Sequence, residues 1–139
     1  MDIRHLISDH SLLSRFVSEM RDVNIQKDAL RFRRNIERVG EVMAYEISKE
    51  LSYEMHSVQT PLGVVECAHI SDKVVLGTIL RAGLSFHQGF LNYFDGAENA
   101  FVSAYRKHKD RLNFDIFIEY IASPSLDDKT LILVDPMLA

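Results

Sequence analysis

Cysteine, positive charge and long apolar runs are all scarce in this 139-residue chain. The single cysteine, Cys67, excludes an internal disulfide and fits a reducing cytoplasm. Lysine and arginine number 16 against 20 acids, a net charge of −4 that argues against general nucleic-acid binding. No transmembrane run, signal peptide, low-complexity tract or internal repeat is present, so neither a membrane nor a repeat architecture is expected. The six histidines (His5, His10, His56, His69, His87 and His108) lack the paired spacing of a zinc site, and no metal site is expected of them. What remains is 47% hydrophobic and 26% charged, which fits one soluble globular domain over residues 1–139 with a real core.

Three apolar runs organise that domain. Leu131-Ile132-Leu133-Val134 reads as a strand covered on both faces, as in a parallel sheet, and it stops at Asp135-Pro136. Open α/β sheets bind ligands at the carboxyl ends of their strands, so Asp135 is either a ligand carboxylate or merely an acid that caps a turn. Val74 to Leu80 is a second strand, ending in Arg81-Ala82-Gly83. Ala100 to Tyr105 is a third, delivering Arg106. If the three are parallel, two arginines and a carboxylate meet on one rim. Guanidinium forks bind phosphate oxygens in pairs and a carboxylate accepts from hydroxyls, so the rim suits a ligand with several phosphates and a diol. The rest of the basic cluster, Lys107 to Arg111, reads as a solvated loop.

The other segments read as scaffold. Residues 1–51 form helices: a short one capped by Ser11, and a longer one from about Gln26 to Leu51 with Ala29, Phe32, Ile36, Val39, Met43 and Ile47 as its core stripe. Arg31, Arg33, Arg34 and Arg38 lie largely off that stripe, as a solvated face or, less simply, an effector or partner site. Residues 53–70 form a β arm around the Thr60-Pro61-Leu62-Gly63 turn, and a two-stranded arm should pack on something. A helix from about Leu84 to Tyr93 presents Phe86, Phe90, Leu91 and Phe94 for packing. An extension from Asp115 to Ile121 precedes the last strand.

The strings Ile79-Leu80-Arg81-Ala82-Gly83-Leu84, Ala104-Tyr105-Arg106 and Leu133-Val134-Asp135-Pro136-Met137-Leu138-Ala139 together resemble the uracil phosphoribosyltransferase family in order and spacing. The likeness runs from about Asn24 to Ala139 and includes Glu41 to Glu46 on the long helix. It implies a phosphoribosyltransferase-like, Rossmann-like α/β fold: a mainly parallel sheet with flanking helices. It also implies transfer of phosphoribose from phosphoribosyl pyrophosphate to uracil, giving UMP and pyrophosphate in pyrimidine salvage. By that resemblance Arg81, Ala82 and Gly83 belong to the pyrophosphate loop, where small residues let backbone N–H groups approach phosphates. Arg106 contacts the diphosphate. Asp135, Pro136, Met137, Leu138 and Ala139 begin the phosphoribosyl pyrophosphate loop, with Asp135 at the ribose hydroxyls; Asp135 and Arg106 are the expected catalytic residues. Mg²⁺ arrives bound mainly to the substrate, and the protein assembles as a homodimer or larger homo-oligomer. Some relatives respond to GTP, and related folds carry a cis peptide where Arg81 joins Ala82.

Family members continue past Ala139 with a Thr/Gly/Ser-rich turn, a helix and a uracil-holding segment, so no uracil-binding residue is expected within residues 1–139 and the domain is expected to be incomplete. If Ile132 and Val134 face one helix layer and Leu131 and Leu133 the other, the lack of the next crossover helix would leave one side uncovered. The competing reading is a non-catalytic relative that binds nucleotides or a partner for regulation.

Overall fold

A computed structural model describes residues 3–8, 10–108 and 114–137. Helix α1 runs Leu12–Arg21; Ser11 sits at its N-cap, though its side chain makes no capping bond. A 3₁₀ turn, Ile25–Lys27, leads to the long helix α2, Ala29–Ser48. That helix starts at the first residue of the apolar stripe, later than the expected Gln26, because the Asp28 carboxylate accepts the N–H groups of Leu30 and Arg31, which ends the preceding turn and caps the helix. Its arginines are mainly a solvated face, with Arg31, Arg33 and Arg34 exposed and Arg38 half-buried, but they also make contacts. Arg31 reaches Glu19 on α1, Arg34 pairs with Glu37, and Arg38 lies over the Phe16 ring while donating to Asn35.

Strands β1 (Tyr53–Thr60) and β2 (Gly63–Ile70) form the antiparallel arm, in register from Tyr53↔Ile70 to Thr60↔Gly63. Gly63 takes the positive φ of +142° that the reversal needs. The arm makes a sheet of its own, and no residue in it is buried. The support expected for it is not supplied by the described residues of this chain.

The main sheet has the order β5-β4-β3-β6. Its members are β3 (Val74–Leu80), β4 (Glu98–His108), β5 (Phe114–Ala122) and β6 (Thr130–Val134). Strand β3 pairs in parallel with both β4 and β6, while β4 and β5 are antiparallel. Helix α3 (Leu84–Leu91) connects β3 to β4.

Most of the core lies on one face of the sheet. Leu76, Ile132 and Val134 pack there with Phe86, Phe90, Phe94 and Ala44, and Ile36, Val39, Met43 and Ile47 of α2 close over them. Helices α2 and α3 touch backbone to backbone: a Cβ on Gly89 would stand 2.1 Å from the Glu37 carbonyl oxygen. Residues paired across strands share a face, so the register places Leu131, Leu133, Ile116, Ile118 and Ile121 on the opposite side. All five are exposed.

Candidate functional site

Arg81 and Asp135 each follow directly on a strand of the parallel pair β3–β6, whose last partners are Thr78 and Val134. The two residues therefore leave the sheet at the same carboxyl edge. After Leu80 the chain turns sharply: the Gly83 N–H bonds the Ile79 carbonyl at 3.2 Å and the Leu84 N–H bonds the Arg81 carbonyl at 3.3 Å. Arg81 and Ala82 project from this turn and are exposed, and the Arg81 side chain has no hydrogen-bond or ion-pair partner among the described residues. Gly83 is glycine because a Cβ there would meet the Thr78 hydroxyl oxygen at 2.0 Å. The cis bond of this turn joins Leu80 to Arg81, one peptide earlier than the Arg81–Ala82 position anticipated.

Asp135 is half-buried, and its Oδ1 accepts the Met137 N–H at 3.1 Å. The acid thus caps its own turn with one oxygen and leaves the other without a described partner, so the two readings of Asp135 coexist in one carboxylate. Pro136 is half-buried and Met137 exposed; Leu138 and Ala139 lie outside the described residues. Together, Asp135 to Met137 close one side of a cleft of about 630 Å³ whose other walls include Val17 and Met20 of α1, Phe32, Ile36 and Met43 of α2, and Phe86. Phe32, Ile36 and Met43 were expected in the core; they are half-buried because part of that stripe faces this cleft.

Arg106 is not at a strand end. Strand β4 continues through it to His108, with Arg106 opposite Ile116 of β5, because the antiparallel hairpin extends pairing past Ser103, the last residue of β4 paired to β3. Ser103 is also where the β4–β5 register shifts. The Arg106 side chain, and Lys109 to Arg111, lie outside the described residues.

Three buried polar residues carry no motif and escape a reading of the sequence: Asn35, Thr78 and His87. The Thr78 hydroxyl donates to the Val134 carbonyl at 3.1 Å, one residue before Asp135. His87, just past the Arg81 turn, bonds Asn99 through Nε2 at 2.7 Å and leans on Phe101. Asn35 donates to Glu19 at 2.8 Å, and with Arg15 and Arg31 it holds the Glu19 carboxyl down at about 2, clamping α1 to α2. Periodicity carries no signal for any of these, since each depends on a partner in another element.

No group of three metal-ligating side chains is assembled among the described residues. A lone carboxylate with a free oxygen suits a hard cation carried in on phosphates better than one held in a protein cage. None of the described helices is long and apolar enough to cross a membrane.

Comparison with known proteins places these features in a family. The sequence model for uracil phosphoribosyltransferase matches residues 7–139. Over its whole length the chain is 72% identical to a uracil phosphoribosyltransferase of Porphyromonas gingivalis, of which it spans 64%. It is 41% identical over 114 residues to one from Methanothermobacter thermautotrophicus, covering 81% of this chain and 52% of that protein. The solved structure of the AQ2163 protein from Aquifex aeolicus superposes on 94% of the chain and 61% of its own, with a TM-score of 0.79 and 29% identity. With its Arg81 turn and Asp135 on adjoining parallel strands, and this match across residues 7–139, the chain belongs to the uracil phosphoribosyltransferase family.

Proposed function

We propose that the whole protein transfers the phosphoribosyl group of phosphoribosyl pyrophosphate to uracil, yielding UMP and pyrophosphate in pyrimidine salvage. The bond from the anomeric carbon to the pyrophosphate oxygen breaks, and pyrophosphate leaves with the electron pair. A uracil nitrogen then bonds to that carbon and gives up its proton. Positive charge grows on the ribose as negative charge grows on the departing oxygens. Arg81, and Arg106 from the neighbouring strand, serve the diphosphate; Ala82 offers it a backbone N–H. Asp135 takes the ribose hydroxyls through the oxygen that Met137 does not use. Mg²⁺ supplies charge neutralisation when bound with the substrate phosphates. Uracil is held by none of residues 1–139, the active protein works in the cytoplasm, and the β arm gains its missing support from a second copy in a homodimer or larger assembly.

The placement of Arg81 and Asp135 at the ends of adjacent parallel strands carries this reading. The test is UMP formation from uracil, phosphoribosyl pyrophosphate and Mg²⁺ by the protein at the full length its gene encodes, with Asp135→Asn and Arg106→Ala alongside. Each substitution is expected to lower kcat/KM at least about 100-fold, the usual cost of a lost transition-state partner. An inactive wild-type protein that still binds UMP would replace catalysis with the non-catalytic, nucleotide-binding reading.

A further inference from the structure

Thr78 touches both halves of the candidate site. It is fully buried on β3, opposite Val134 of β6 and Phe101 of β4. Its hydroxyl proton goes to the Val134 carbonyl at 3.1 Å, at the last β3–β6 pair and immediately before Asp135. The same oxygen lies so close beneath the Arg81 turn that a Cβ on Gly83 would meet it at 2.0 Å. The turn can therefore descend onto β3 only because position 83 has no side chain. The parallel ladder beyond Thr78 and Val134 is finished, so main-chain pairing no longer determines how the two loops sit relative to one another.

We infer that Thr78 is a positioning residue, whose hydroxyl sets the Arg81 turn and Asp135 in mutual register so that the diphosphate and ribose ends of one ligand are held together. The role rests on the reading proposed above, although the coupling itself is testable without turnover. Valine matches threonine in shape but lacks the hydroxyl; serine keeps the hydroxyl but loses the methyl group. A role in packing alone predicts that serine does the harm, whereas a role in positioning predicts that valine does.

The experiment compares Thr78→Val and Thr78→Ser in the full-length protein by amide hydrogen exchange and by steady-state kinetics. Thr78→Val is expected to speed exchange at both the Gly83 and Met137 amides, and Thr78→Ser at neither. In kinetics, valine lowers kcat/KM for phosphoribosyl pyrophosphate between about 10- and 100-fold, as a small displacement of reacting groups does, with KM for uracil unchanged and activity restored by serine. Exchange that rises at only one loop, or equally in both variants, would overturn the inference. So would a valine variant as active as wild type. A wild-type protein that shows the coupled exchange but makes no UMP would instead overturn the proposed reaction, leaving Thr78 as the link between the loops.

Discussion

Strand β6 shows two fates for one apolar run. Ile132 and Val134 are 7% and 2% exposed, sealed under α2 and α3; Leu131 and Leu133, alternating with them, are 44% and 61% exposed. The split fades across the sheet: on β5, Phe117 and Tyr120, in register with the covered face, are as exposed as Ile116, Ile118 and Ile121 on the other. Four consecutive apolar residues record that both faces of a strand are meant to be covered. Which face is covered by residues 1–139 depends on which helices those residues supply. All the packed helices lie on one side.

That contrast can be broken by substitution. The largest effect is expected for Phe90→Ala, since Phe90 is 1% exposed at the centre of the covered face: about 3–5 kcal/mol lost in chemical denaturation, enough to unfold a marginal domain. Leu133→Ala on the open face should cost no more than about 0.5 kcal/mol if that face stays uncovered in the folded protein. A loss of several kcal/mol at Leu133 would mean that the full-length protein or its assembly covers it, and the two faces would then be equal.

The smallest effect concerns the covering layer itself. Glu19 is held down at about 2, against an ordinary 4.5, by hydrogen bonds from Asn35, Arg15 and Arg31. Because the folded value is the lower one, its contribution is present above about 4.5 and lost as the pH falls from there through about 2. Thermal unfolding followed between those pH values should therefore show a fall that is shallower in Glu19→Gln. An identical slope in the variant would remove Glu19 from the clamp between α1 and α2.

Much of the sheet is legible in the chain. Val74 to Leu80 and Leu131 to Val134 are apolar enough to be central strands, and Arg-Ala-Gly and Asp-Pro mark where they stop. The end of β4 is not legible, because its length depends on how far β5 stays paired, and so Arg106 lies within a strand instead of at its tip. The start of α2 is readable only once Asp28 is seen capping it. The exposed β arm is readable as a hairpin but not as one lacking a neighbour, since a turn signal is local and its support is not.

By itself the sequence determined the strands of the rim, the residues that follow them and the family they resemble, because these rest on runs and strings of neighbouring residues. Only the tertiary structure decided that Asp135 caps its own turn, that Gly83 must yield space to Thr78, and that Thr78 reaches a carbonyl 56 positions along the chain. The first two are local but need the turn geometry itself, and the last joins residues distant in sequence, since a hydroxyl has no preference among carbonyls until folding brings one within reach.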